Sequence, residues 1–409
     1  MKRYVIIGGG IAAASCAEGI RSRDQRGIVT VISEEKELYY RPLISYYLEG
    51  KTSLDHMKYR DGDFYQKINA DIRYGTRAVS IRKDQQEVLL SDGEVLPYDE
   101  LCLATGSSPF VPAFEGLETV ENKTAFMSLE DMLRLEKMVG ASSRVLIIGA
   151  GLIGLKCAEG LLRRVQSVTV CDLADRILSS ILDEPCAALM QQHLERYGMQ
   201  FLLGDSVKRF EKNLAYMASG KEVSFDVLVL CVGVRPNLTL FKELGGKTDR
   251  GILVDERMAT SIEHIYASGD CTQGFDLSCG KKRIMAILPN ASMQGFTAGV
   301  NMTGASQALM NLIPMNAIGF FGFHALTAGS YEGALYEEKT DHSIKRLYIQ
   351  DDLLKGFMLI GVQERAGIYT SLIRDQVPLS SLNEELMKKM PTTAAYSAEI
   401  RRKKFGGAV

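Results

Sequence analysis

The sequence predicts an α/β chain: two Rossmann-like three-layer domains followed by a smaller α+β domain. Three observations carry that expectation. The opening stretch RYVIIGGGIAAASCAEGI (Arg3 to Ile20) returns as RVLIIGAGLIGLKCAEGL (Arg144 to Leu161) at a constant offset of 141, with nine of eighteen positions identical. Each copy leads about 20 residues on to a second apolar strand that ends in acid, the layout of a dinucleotide-binding unit. From about residue 312 the texture changes to segments that read as antiparallel strands with polar turns.

The totals agree. A chain of 409 residues is too long for one core and suggests two or three domains. An apolar fraction of 46% with 24% charged residues is ordinary for a globular protein, and a net charge of −2 gives no general attraction to nucleic acid or anionic membrane. No uninterrupted apolar run reaches the roughly 18 residues of a membrane span. The eight cysteines show neither a C-x-x-C pair nor metal-ligand spacing, so no metal site and no disulfide framework is expected. Cys102 and Cys231 fall inside apolar strands, where an inert buried thiol is expected. A reducing cytoplasm suits this cysteine usage.

Basic residues, an apolar run and small residues up to Cys16 also resemble a lipoprotein export signal. A cleaved signal has no reason to recur in mid-chain, whereas a nucleotide-binding unit used twice does. In each copy the first glycine, Gly8 or Gly149, allows the tight turn out of the strand. Gly10 and Gly151 remove a Cβ that would block a pyrophosphate. Ala13 and Gly154 let the helix pack closely on the strand, and the helix N-terminus faces the phosphates. The acids expected on ribose hydroxyls are Glu34 or Glu35 after IVTVIS in the first copy, and Asp172 after SVTVC in the second.

The first unit continues through ADIRYGTRAVSI and EVLLSDG to LCLATGSSPFVP, where Pro109 and Pro112 punctuate a crossing into the second. That unit closes with FDVLVLCVGVRPN, and GILVDERMATSIEHIYASGDC follows. Beyond residue 312, IGFFGFHALTAGSYEGALYEE and KRLYIQDDLLKGFMLIGVQ read as strands, LNEELMKKM as helix, and RRKKFGG as a solvated basic tail.

With both glycine units in place, VIIGGGIAA, YYRPLIS, LCLATGSSP, LIIGAGLIG, LCVGVRPN and IYASGDC, in this order, resemble the two-dinucleotide-binding flavoproteins, the pyridine nucleotide–disulfide oxidoreductases in the broad sense. Within that family the chain is most similar to the branch of NADH–rubredoxin reductases, nitrite-reductase flavin domains, ferredoxin reductases and apoptosis-inducing factor. The resemblance implies FAD on residues 1–111 with 238–311, nicotinamide nucleotide on 112–237, and an interface or dimerisation domain at 312–409. It places Gly8, Gly10 and Ala13 beside the FAD pyrophosphate, Glu34 or Glu35 on the adenosine ribose and Arg41 along the phosphates. Val79 would meet adenine, Thr105 and Gly106 would form the flavin turn, and Asp270 would face the ribityl chain. Gly149, Gly151 and Gly154 would take the second pyrophosphate, and Gly233 would approach the stacked rings. Asp172 would bind a 2′-hydroxyl and repel a 2′-phosphate, favouring NAD(H), a preference that Arg176 nearby keeps moderate.

Two departures from the family pattern shape the expected chemistry. Disulfide reductases carry C-x-x-x-x-C near the flavin, and the oxidase and coenzyme A disulfide reductase branch carries one cysteine there. This chain has RPLISYYLEG, with Ser45 and Tyr46 and no sulfur, so no thiolate relay is expected. Cys271 and Cys279 match no redox spacing. Much of the branch also pairs a lysine after the Arg-Pro stretch with a glutamate after the second glycine motif. Here those places hold Tyr46 and Lys156, and Lys156 is expected to supply positive charge near flavin N5.

The expectation is an FAD-dependent NAD(P)H oxidoreductase that moves electrons between NADH and a small iron–sulfur or rubredoxin-type carrier, by hydride transfer to N5. The alternatives are a flavoprotein subunit of a 2-oxoacid oxidoreductase of the phenylglyoxylate dehydrogenase type reducing NAD, a flavin-only NADH oxidase, and a non-catalytic NADH-sensing interaction subunit. A homodimer is considered; no nucleic acid or membrane span is expected.

Overall fold

The strand Arg3–Ile7 is buried along four of its five residues, the mark of a strand covered on both faces. It lies at the centre of a five-stranded parallel sheet, ordered Ile265–Ala267, Glu100–Leu103, Arg3–Ile7, Ile28–Ser33, Asp71–Tyr74. Its echo Arg144–Ile148 centres a second parallel sheet, ordered Gln200–Leu203, Ser167–Asp172, Arg144–Ile148, Val227–Leu230, Lys123–Ala125. Each parallel sheet has a three-stranded antiparallel sheet, 78–97 or 207–224, inserted before its strand Glu100–Leu103 or Val227–Leu230, so the repeat extends beyond the glycine motif. The computed structural model describes residues 1–362 and 365–405.

Helix Ile11–Arg21 packs along helix Leu288–Met302, which returns to the first sheet from far down the chain. The approach is close enough that a Cβ on Gly295 would sit 2.1 Å from the Ala12 carbonyl oxygen, and one on Gly299 would sit 2.0 Å from that of Cys16. The small run Ala12-Ala13-Ala14-Ser15-Cys16-Ala17 is buried, and within it Ala12, Ser15 and Cys16 meet that second helix. This is the structural use of residues that imitate a lipoprotein signal. Across the two halves, Ser107–Pro109 pairs antiparallel with Val234–Pro236, the two places where the chain crosses from one sheet to the other.

The chain divides into two compact units: Met1–Gln273 with Leu288–Leu309, and Gly274–Ile287 with the residues from Met310 onward. The smaller unit is an α+β body. Its five-stranded antiparallel sheet runs Met315–Phe320, Phe323–Gly329, Leu353–Ile360, Ile344–Gln350, Ala334–Lys339. Helix Ala366–Arg374 seals that sheet over a core of Leu347, Phe357, Leu359, Tyr369, Leu372 and Ile373. The helix foreseen in LNEELMKKM forms over Glu384–Lys389. Arg401 and Arg402 of the basic end are exposed, and its Gly406 and Gly407 lie outside the described residues. Among the described residues no helix is long and apolar enough to cross a membrane, and no cluster of His, Cys, Asp and Glu is placed to hold a metal ion.

Gly8 has φ +130°, and a Cβ there would lie 2.0 Å from the Ala104 carbonyl oxygen. Gly8→Ala is expected to lower unfolding stability by about 1–3 kcal/mol or more, read as a fall in the urea midpoint. Gly50→Ala, at a positive φ but in open space, is expected to cost less.

Candidate functional site

Both glycine turns have the same construction. Strands Arg3–Ile7 and Arg144–Ile148 end against the neighbouring strand, so Gly149 (φ +114°, Cβ position 2.2 Å from the Cys231 carbonyl) repeats the constraint at Gly8. Gly10 and Gly151 are the N-caps of helices Ile11–Arg21 and Leu152–Leu161, and neither helix end has a side-chain cap. A Cβ on Gly10 or Gly151 would meet no protein atom within 4 Å. Open space in front of uncapped N–H groups fits a pyrophosphate in each copy. Gly154 packs so closely that its Cβ would sit 1.9 Å from the Gly149 carbonyl oxygen. The first helix takes Ala13, fully buried, at that place.

Strand register sharpens the acids. Arg3 pairs with Ile28 and Arg144 with Ser167, so Asp172 aligns with Ser33 and not with either glutamate. Asp172 accepts the backbone N–H of Ala150 in the glycine turn (2.6 Å) and of Ala174 (2.8 Å). Glu34 is exposed and pairs with Arg77 at 3.3 Å. Glu35 is half-buried and accepts from Arg41 (3.1 Å) and the Tyr39 hydroxyl (3.2 Å). The structure thus separates two residues that sequence cannot tell apart.

Burial works against the Arg41 charge, but the Glu35 carboxylate, with Tyr39 and Asp270, outweighs it and raises the guanidinium pKa. Burial pushes the Asp270 carboxyl up, opposed by Arg41 and by the Ser107 hydroxyl, which donates to it at 3.2 Å. Burial, then the Glu35 charge, pushes the Tyr39 phenol up to about 12, so it stays a neutral donor. Thr105 and Gly106 (φ +64°) form a turn stitched to Asn237, which donates its side-chain N–H to the Thr105 carbonyl and accepts the Thr105 hydroxyl at its own carbonyl, both at 2.8 Å. Gly233 is exposed, and its carbonyl accepts from Phe110 N–H at 2.9 Å. Val79 is exposed on the strand Ala78–Arg82.

Tyr46 lies on the short helix Leu43–Leu48, which packs against helix Leu152–Leu161. The Lys156 ammonium stands 5.1 Å from the Tyr46 ring centroid and pairs with Glu159 one turn on at 2.5 Å. Lys51 stands 5.9 Å from the same ring and pairs with Glu49. Glu159 is 4% exposed, so Lys156 compensates a nearly buried carboxylate. Sequence singled out Lys156 and Tyr46 but missed Glu159, although Glu159 is one of the repeated positions, facing Glu18. It also missed Tyr39, Ser107 and Asn237, whose roles depend on partners far away in the chain.

None of the eight cysteines forms a disulfide. Cys271 donates to the carbonyls of Leu103 and Ser268, and burial pushes its pKa up to about 11. Burial also raises Cys279, whose thiol donates to Asp276. Neither thiol is poised as a thiolate.

Two glycine cradles on parallel sheets, with an arginine and a carboxylate converging beside the first, define a protein that binds two dinucleotides. The chain belongs to the pyridine nucleotide-disulphide oxidoreductase family, whose model matches residues 2–295. It is 30% identical over 401 residues to the NADH-dependent phenylglyoxylate dehydrogenase subunit epsilon of Aromatoleum evansii, covering 94% of each chain. It is 33% identical over 315 residues to an NADH oxidase of Methanocaldococcus jannaschii, covering 74% of this chain and 70% of that protein. Among solved structures, the covalent putidaredoxin reductase–putidaredoxin complex superposes with a TM-score of 0.85 at 25% identity, covering 92% of this chain and 94% of that one. The chain is accordingly an NAD(P)H-dependent flavin oxidoreductase that uses FAD and NAD(P)H.

Lys156→Met leaves the Glu159 carboxylate without its ammonium and is expected to cost about 1–3 kcal/mol in urea unfolding. Glu159→Gln in the same chain is expected to restore part of that loss, and strict additivity of the two changes would show that the pair is not coupled.

Proposed function

We propose that this chain carries electrons between NADH and a one-electron carrier of the small iron–sulfur or rubredoxin type, without a redox-active disulfide. The observation that carries this reading is the segment Leu43–Leu48, which offers Ser45 and Tyr46 where related reductases keep sulfur. A hydroxyl forms no mixed disulfide, so electrons leave without passing through a protein thiol. Bound FAD would supply a group that accepts one hydride, with its two electrons, and releases those electrons singly.

The chain's own residues do the rest. Residues 1–111 with 238–311 hold FAD: Gly8, Gly10 and Ala13 shape the pyrophosphate cradle, Arg41 supplies its positive charge, and Glu34 and Glu35 flank the ribose side. Val79 would border the adenine, Thr105 and Gly106 would form the turn at the flavin, and Asp270 would face the ribityl hydroxyls. Residues 112–237 hold the nicotinamide nucleotide through Gly149, Gly151 and Gly154, with Gly233 beside its ring. Lys156, held between Glu159 and the Tyr46 ring, is the cation assigned to the flavin edge. Asp172 keeps lone pairs for a ribose diol, and Arg176 pairs with Asp175 at 2.9 Å and donates to the Leu182 carbonyl at 3.2 Å. This supports NADH over NADPH. Residues 312–409 are assigned to carrier contact or dimerisation.

A second reading is favoured by the end-to-end match to a phenylglyoxylate dehydrogenase subunit. There the same site would run toward NAD inside a complex that oxidises a 2-oxoacid. Purification from the native source decides between them: co-purifying iron–sulfur subunits support the complex, and a free chain supports the stand-alone reductase.

In anaerobic stopped-flow, NADH is expected to bleach the flavin faster than NADPH does, and Asp172→Ala to narrow that ratio by about tenfold, equivalent to about 1.4 kcal/mol. Lys156→Ala is expected to slow bleaching by about tenfold or more. Mixing the reduced protein with rubredoxin, ferredoxin or oxygen tests the acceptor. Oxygen outpacing both carriers would establish the flavin-only oxidase instead, and no bleaching by NADH would leave the non-catalytic reading.

A further inference from the structure

The segment Tyr39–Leu48 belongs to the first nucleotide-binding half of the larger unit, and beside its contacts there it reaches helices of the second. The Tyr39 hydroxyl accepts the backbone N–H of Leu129 at 2.9 Å, at the first residue of helix Leu129–Met138. That helix has its own capping box, in which Ser128 accepts from the Asp131 N–H and the Asp131 carboxylate accepts from the N–H groups of Ser128 and Met127. The Leu129 N–H is bonded instead by Tyr39, from across the join. Tyr39 in turn donates to Glu35, which holds Arg41. At the other end of the segment, the Leu48 carbonyl accepts from Arg164 at 3.0 Å.

We propose that Tyr39 is a positioning residue for hydride transfer: its hydroxyl, bonded to Leu129 on one side and Glu35 on the other, holds the nicotinamide-binding half in register with the flavin-binding half. This rests on the function proposed above. Hydride transfer needs reacting atoms about 3–3.5 Å apart, and a misplacement of about 1 Å can cost on the order of a hundredfold in rate. The chain crosses between the halves at Ser107–Pro109 and Val234–Pro236, and these crossings pair with each other. A joint made of two adjacent strands leaves rotation about itself open. Packing of Leu43–Leu48 on Leu152–Leu161 is close at Gly160, where a Cβ would sit 2.9 Å from the Ser45 carbonyl oxygen, but apolar contact is not directional. A hydroxyl with both its donor and its acceptor role filled is directional. The same Tyr39–Glu35–Arg41 series reaches the arginine assigned to the FAD phosphates, so the tie reaches the flavin side through a charged group.

The test compares Tyr39→Phe with Ser128→Ala in the FAD-loaded protein. Each removes one bond from the same helix end, but only the first cuts the tie between halves. Tyr39→Phe is expected to lower the limiting rate of flavin bleaching at saturating NADH by about tenfold, with the NADH dissociation constant within about twofold of wild type. Ser128→Ala is expected to leave that limiting rate within about twofold. An unchanged rate in Tyr39→Phe, or an equal loss in Ser128→Ala, overturns the proposal. Hydrogen exchange supplies a readout independent of turnover: Tyr39→Phe is expected to speed exchange of the Leu129 amide. If NADH fails to bleach the wild-type flavin, the proposed function falls, while an unchanged Leu129 amide in Tyr39→Phe overturns the tie in either case.

Discussion

Each nucleotide cradle depends on one steric fact: the chain leaves its central strand directly against a carbonyl of the neighbouring strand. The Ala104 oxygen leaves no room for a Cβ at Gly8, and the Cys231 oxygen leaves none at Gly149. Because that turn is tight, the following helix starts close to the strand end and points its unbonded N–H groups into the space beyond Gly10 and Gly151. A looser turn would carry the helix away and dissolve the cradle. The rest of the larger unit, from the buried parallel strands to the small-residue helix pair, holds two such turns in place.

This constraint also explains what sequence could report. A glycine fixed by a neighbouring carbonyl is a local requirement, so it stands out in the letters, and its recurrence at an offset of 141 turned a weak motif into a strong one. The architecture was legible for the same reason, as was the change to antiparallel strands near residue 312. The acid of the first copy was not. Whether Glu34 or Glu35 turns inward depends on strand register, and on Arg41 and Tyr39 being there to meet Glu35. Asn237 lies 132 residues from the Thr105 it holds, a separation that no local pattern encodes. Proximity of Lys156 to Tyr46 could be guessed only because a family resemblance put both positions beside one ring.

The charges around Tyr46 show how a departure from the family pattern can keep its electrostatics. An ammonium with a carboxylate near it is retained, but both charges now sit on one helix, one turn apart, with an aromatic ring from the other helix closing over the cation. An intrahelical pair has its geometry set by the helix itself, so it does not depend on how two halves meet. The ring contributes a cation–π contact that adds little if exposed and more where water is displaced. The ion pair of this site is thus set within one half.

That independence shifts the burden of alignment elsewhere. In a pattern where lysine and glutamate come from different helices, the ion pair itself ties the two nucleotide-binding halves together. Here Lys156 and Glu159 share a helix, so their attraction does nothing to join the halves; the softer Lys156–Tyr46 contact and the attraction between Lys51 and Glu159 cross instead. Further polar cross-links are the Tyr39–Leu129 and Leu48–Arg164 bonds at the two ends of the same segment, the Tyr47–Glu136 bond within it, and the bonds of Thr105 and Ser108 to Asn237 beside the paired crossings. The last lie at the pivot, where they have little leverage on rotation. Orientation is therefore carried by the ends of Tyr39–Leu48. Of these, the Leu48 bond ends on an arginine side chain with several rotatable torsions, whereas the Tyr39 bond ends on a backbone amide fixed in the first turn of a helix. Between these two links the Tyr39 bond is the stiffer, and that stiffness is the reason alignment is assigned to it.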